Sequence, residues 1–139
     1  MAGYRAWTMV HSDELVFRAE SASIPRARHA VIGFARKHGV PSTLLGGIAL
    51  AVSEACTNVV LHAYRKALAP GEFSVDVGLG RHTLRVRVRD RGMGMSPRPD
   101  SPGLGLGLPI IASTASAFTV APCEGGGTEL RMRFDFAGA

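Results

Sequence analysis

The chain has 139 residues, 46% of them hydrophobic and only 6% aromatic, with a formal charge of +5. That length and apolar content suit one domain with a core of its own and exclude a disordered chain. The positive balance admits an acidic partner or nucleic acid, but no helix-turn-helix or other nucleic-acid motif accompanies it, and direct nucleic-acid binding is not expected.

Taken in order, the N-terminal MAGYRAWTMVHSDE lacks an apolar signal core, so a reduced, cytoplasmic protein is the expectation. Tyr4 to Val10 has the composition of a short strand, and Leu15 to Glu20 is the stronger strand candidate. Residues 1–14 are therefore expected to be an extension or an edge strand, with the domain proper over 15–139. Pro25 suits a first helical position, and Ala27, Ala30, Val31, Phe34 and Ala35 give Pro25 to His38 one apolar face, closed by Gly39. Ser42 or Thr43 can cap a second helix that runs to about Tyr64.

After the Ala69-Pro70-Gly71 turn, Glu72 to Gly80 alternates apolar and polar residues as a strand does. Arg81-His82 is a hairpin turn, and Thr83 to Arg89 alternates cleanly, with Leu84, Val86 and Val88 on one side. Arg85, Arg87, Arg89 and Arg91 fall on the other side and read as one solvated strand face. Arg91 to Pro102 is loop. Leu104 to Ala117 starts as a glycine-rich turn and becomes a helix. Phe118 to Ala121 and Thr128 to Phe136 are strands joined through a turn at Glu124 to Gly127. The uncharged stretch Gly103 to Cys123 is long enough to cross a bilayer, but glycine at every second position in its first third marks a loop, not a span. Cys56 and Cys123 are too far apart for a metal-ligand spacing, and Cys56 is expected to be a small core residue. The order of elements predicts an α+β fold, a two-layer α/β sandwich with a mixed, mostly antiparallel sheet and its helices on one face.

Four places carry chemistry. Glu54 and Asn58 lie one turn apart on an apolar helix, where a carboxylate and an amide are costly unless something satisfies them. Asp90 ends a strand and is followed by Gly92 and Gly94; a carboxylate there can accept a hydrogen bond from an exocyclic amine. Gly103, Gly105 and Gly107, interleaved with Leu104, Leu106 and Leu108, open a helix and leave amides free for phosphate oxygens. Gly127-Thr128 begins the last strand. Each has an ordinary reading as turn, loop or helix polar group; their order and spacing are what distinguish them.

Together the four resemble the nucleotide-binding signature of DNA gyrase, sensor histidine kinases and the MutL mismatch-repair proteins: the N box in Glu54 and Asn58, two glycine boxes, and the terminal Gly-Thr. The resemblance runs over roughly Leu15 to Phe136. Within that superfamily, Ser53, Glu54, Ala55, Thr57, Asn58, His62, Ala63 and Tyr64 are similar to the pattern of the bacterial anti-sigma-factor serine/threonine kinases.

That resemblance implies a histidine-kinase-like ATPase fold and ATP with Mg2+ as cofactors. Asn58 would ligate the metal, and Glu54 would act as general base toward the attacking hydroxyl. Asp90 would hold the adenine amine, with Gly92 and Gly94 letting the loop pass close to the base. Gly103, Gly105, Leu106, Gly107 and Leu108 would present amides to the phosphates, and Thr128 would support Asp90. His62 and Arg65, one and two turns past Asn58, would border the phosphates. Met95 to Pro102 occupies the place of a lid over the nucleotide, with Arg98 as its catalytic cation. The implied partners are a sigma factor and a small antagonist protein carrying the target Ser or Thr, with a homodimer and no membrane. Two alternatives remain: a non-catalytic ATP-binding module acting by contact, and a switch kinase without a sigma partner.

Overall fold

The computed structural model describes residues 11–64, 71–92, 107–123 and 125–137. Its strands are β1 (His11–Arg18), β2 (Glu72–Gly80), β3 (Thr83–Asp90), β4 (Ala117–Pro122) and β5 (Thr128–Asp135). Its helices are α1 (Ser23–Lys37), α2 (Ser42–Asn58) and α3 (Gly107–Thr114), with a π-helical turn over Val59–Ala63 continuing α2. The strands form one sheet in the order β1-β2-β3-β5-β4, and every pairing in it is antiparallel.

The core follows from the alternation. Phe73, Val75 and Val77 of β2, Leu84, Val86 and Val88 of β3, and Leu130, Met132 and Phe134 of β5 are all buried. Above them lie Ala27, Val31 and Phe34 of α1, Ile48, Val52 and Ala55 of α2, and Ile111 of α3. The middle helix, α2, packs against both other helices and over β3 and β5. Ser42 to Ala63 is apolar and long enough to cross a membrane by composition, yet its buried face is part of this core. Gly103 to Cys123 is no span either, because its described part divides into α3 and β4. Cys56 is buried beside the core, and burial pushes its thiol up to about 12, as befits an inert packing residue.

Several local expectations shift. The first strand begins at His11 and ends at Arg18, not at Leu15 and Glu20; its polar start is an edge, paired with β2 from His11↔Leu79 to Arg18↔Glu72. Pro25 is the third helical residue of α1, where its missing N–H is still one that has no intrahelical partner. Neither Ser42 nor Thr43 caps α2: Pro41 holds the cap position without a side-chain bond. The α-helical spacing expected up to Tyr64 stops at Asn58, where the π-helical turn begins. Arg91 is not on the strand, since β3 ends at Asp90. The expected strand over Tyr4 to Val10 lies outside the described residues.

The sheet face without helices is an ion-pair lattice. Arg87 reaches Asp76 at 2.5 Å and Glu129 at 3.5 Å; Arg89 reaches Asp76 at 3.6 Å and Glu14 at 3.8 Å; Arg131 holds Glu129 at 2.8 Å. Of the arginine stripe, Arg87 and Arg89 are thus engaged by carboxylates of their own face, whereas Arg85 Nε is buried with no hydrogen-bond partner among the described residues; Asp76 is buried beneath the arginine stems at 4% exposure.

Candidate functional site

The helix side of the site is built by α2. Asn58, its last residue, is buried, and its Nδ2 has no hydrogen-bond partner among the described residues. One turn earlier, Glu54 is half-buried, less enclosed than an apolar helix suggests, and it makes no hydrogen bond or ion pair with the described residues. Thr57 bonds back to the Ser53 carbonyl at 2.7 Å, and Arg28 of α1 donates to the Ser53 hydroxyl at 3.3 Å. These neighbours fasten the helix while leaving the Glu54 carboxylate available. Past Asn58 the π-helical turn admits an extra residue per turn, a device often found at functional sites. His62 lies half-buried within it, four residues past Asn58.

The strand side is built where β3 ends. Asp90 points to the helix layer, in step with Leu84, Val86 and Val88, and is 1% exposed. Its Oδ1 accepts the Gly92 N–H at 3.0 Å, while its Oδ2 is buried with no hydrogen-bond partner among the described residues. Burial pushes the carboxyl above its ordinary value, and the backbone amides of Gly92 and Thr128 pull it partly back. Thr128 is beside Asp90 because β3 and β5 are neighbours, paired up to Arg89↔Glu129 one step away.

Glycine is required twice here by the protein's own backbone. A Cβ on Gly92 would lie 2.0 Å from the Ala63 carbonyl oxygen, at the end of the π-helical turn. A Cβ on Gly127, whose φ is +89, would lie 1.9 Å from the Asp90 carbonyl oxygen. So the close approach permitted by Gly92 in this structure is to Ala63. The ring of Tyr64 fills the space between Gly71 and Gly92. Its hydroxyl donates to the Glu72 carbonyl and accepts the Arg91 N–H at 2.9 Å.

The third side is α3, which starts at Gly107; Leu108 packs half-buried against the core. Arg65, Gly94, Arg98, Gly103, Gly105 and Leu106 lie outside the described residues. The structure therefore brings together Asp90, Gly92, Thr128 and Gly127, and sets Asn58 and Glu54 on the helix above that sheet. A cleft of about 750 Å3 opens beside the same turn, lined by Glu14, Val16, Ser74, Arg89, Asp90 and Cys123 among others. None of Glu54, Asn58, His62, Leu108 or Thr128 lines it, and Glu14, Ser74 and Arg89 belong to the helix-free face, so it is not the space that Asn58 and Glu54 border.

A family model described as the histidine kinase-like ATPase domain matches residues 17–134. The chain belongs to that family. Among solved structures, the RsbU and RsbW domains of Rv1364c from Mycobacterium tuberculosis match this ATPase domain with a TM-score of 0.71 and 20% identity, over 91% of this chain. The histidine kinase domain of a blue-light activated histidine kinase from Erythrobacter litoralis matches with a TM-score of 0.51 and 20% identity, over 82% of this chain. The ATPase domain spans 32% of the first of those chains and 59% of the second. No curated protein matches it in sequence.

The ATPase domain fits its nucleotide on two observations. A buried carboxylate oxygen with no partner is expensive unless a ligand donor meets it, and Asp90 Oδ2 is such an atom. Asn58 adds a buried Nδ2 donor that no acceptor among the described residues meets. Two residues escaped the sequence reading of the site. Tyr64 entered only as part of a pattern, though an aromatic between two glycine-bearing turns was the available signal. Gly127 was valued for the threonine after it, whereas the structure gives it a steric task.

Proposed function

We propose that this ATPase domain is an ATP-dependent serine/threonine protein kinase of the anti-sigma-factor type. It would grip a sigma factor and phosphorylate a small antagonist protein. The observation that carries the nucleotide reading is the Asp90 carboxylate, buried at a strand end with Oδ1 bonded by Gly92 and Oδ2 without a hydrogen-bond partner among the described residues. An exocyclic amine supplies the N–H donor that this oxygen lacks.

When bound, ATP would supply the transferable phosphoryl group and Mg2+ would neutralise charge on it. Asn58 would hold the metal through its amide oxygen. Glu54 would take the proton from the target hydroxyl as general base; the presence of a carboxylate at this position favours a kinase over a module acting by contact alone. Leu108 and the glycine-rich segment before it, with His62 and Arg65, would border the phosphates, and Arg98 would face the terminal one. The anti-sigma assignment, with its partners and a homodimeric state, rests on the Ser53 to Tyr64 pattern, and the overall likeness to a structure that includes an RsbW domain agrees with it; the cytoplasmic location rests on the lack of an apolar signal core in MAGYRAWTMVHSDE.

The test has two stages. Titration calorimetry with ATP and Mg2+ should show binding to the native chain and loss of it in Asp90→Asn. Transfer of label from γ-labelled ATP to serine or threonine of the small antagonist proteins encoded in the same genome should then appear, and should vanish in Glu54→Gln while ATP binding persists. Binding without transfer to any of them would make the chain a contact-only regulator. No binding by a folded native chain would reject the nucleotide reading.

A further inference from the structure

We infer that Tyr64 is a positioning residue for base recognition: its hydroxyl fixes the turn that aims the Asp90 carboxylate, without touching the nucleotide. This rests on the reading of Asp90 as the acceptor of the base amine. The hydroxyl sits between two strands at the point where their pairing ends. It donates to the Glu72 carbonyl at the start of β2 and accepts the N–H of Arg91, the residue directly after Asp90. Phe73 and Asp90 are the last paired residues of β2 and β3, so no ladder bond holds Arg91. Tyr64 replaces the missing rung.

The ring cannot slide. On one side Gly71 leaves room for it, since a Cβ there would be 2.3 Å from the ring edge; on the other a Cβ on Gly92 would be 3.0 Å from it. The next amide along, that of Gly92, is the one bonded to Asp90 Oδ1 at 3.0 Å. Hydroxyl, Arg91 amide, Gly92 amide and carboxylate thus form one short chain of contacts. Its consequence is directional. Loss of the hydroxyl frees the Arg91 amide, lets the turn rotate, and misaims the open Oδ2, while Asn58 and Glu54 on α2 keep their places.

The experiment compares two ligands on the native chain and Tyr64→Phe by titration calorimetry with Mg2+: ATP, and purine riboside triphosphate, which lacks the exocyclic amine. The native chain should prefer ATP. Tyr64→Phe should weaken ATP roughly three- to tenfold, the worth of one hydrogen bond, and leave the purine analogue unchanged, so that the preference narrows. Equal weakening of both ligands, or no weakening of ATP, would overturn the inference while leaving the nucleotide reading intact. Failure of the native chain to bind either ligand would overturn both. Should Tyr64→Phe not fold, Gly71→Ala displaces the same ring, and the same narrowing of preference is required of it.

Discussion

Gly127 rests against the backbone of Asp90 so closely that the Asp90 carbonyl oxygen occupies the place of any Cβ, at 1.9 Å. The neighbours Gly125 and Gly126 also have positive φ, at +86 and +110, but open space where a Cβ would go. Gly126→Ala therefore carries only backbone strain, about 1–3 kcal/mol. Gly127→Ala carries that strain plus a collision with backbone that no rotamer relieves. Urea unfolding should show Gly127→Ala as clearly the less stable of the two, and ATP affinity should fall in it because the Asp90 strand end must move. Equal losses in the two variants would mean that the contact is not tight.

Asp90 should show the opposite sign of effect on stability. Its folded carboxyl lies above the ordinary value because of burial, so the folded state holds the proton more tightly than the unfolded chain. Stability is then lost as pH rises from the ordinary carboxylate value through the folded one, and regained on acidification. Asp90→Asn removes that charge. In the absence of nucleotide the variant should match the native chain near pH 4 and exceed it progressively toward pH 7, while losing ATP. Denaturant midpoints across that range measure it. A native chain that outperforms Asp90→Asn at neutral pH would show the carboxylate to be satisfied.

The sheet was legible from the sequence because its alternation is strict: Leu84, Val86 and Val88 had to face one way and the arginines the other, and they do. The spacing of Glu54, Asn58, Asp90 and Gly127-Thr128 was legible because a local motif records its own order. What was hidden depends on contacts distant in sequence. Nothing in Val59–Ala63 separates a π-helical turn from one more α turn, since the same apolar residues serve either. The need for glycine at 92 comes from Ala63, and at 127 from Asp90; neither pair is near in sequence. Asp76 is a polar residue on a strand face without helices, and its burial is made by arginines from the next strand.

Asn58 offers a case where stability and function should separate. Its Nδ2 is buried and unpartnered among the described residues, so the native side chain already bears an uncompensated polar cost. Asn58→Ala should change stability by no more than about 1–2 kcal/mol, the lost packing being offset by the polar group removed. The magnesium dependence of ATP affinity should collapse: calorimetry with and without Mg2+ should give different affinities for the native chain and the same affinity for the variant. A variant that retains the native magnesium response would remove Asn58 from the metal site.

Asp76 is the counterpart on the opposite face of the sheet. It is 4% exposed and engages Arg87 through both Nε, at 2.7 Å, and Nη2. Asp76→Ala removes the closest of the carboxylates described around Arg87 and leaves Glu129 at 3.5 Å. The loss should be about 2–3 kcal/mol, below the range for a fully buried pair because the Arg87 side chain is 19% exposed. Adding Arg87→Leu should recover part of it, since removing both charges eliminates the stranded guanidinium and adds apolar cover. ATP affinity should not change in either variant, because β2 turns Asp76 away from the helices while β3 turns Asp90 toward them. A double variant no more stable than Asp76→Ala would mean that the remaining partners of Arg87, Glu129 among them, suffice to hold it, and that the lattice is redundant where the single substitution cuts it.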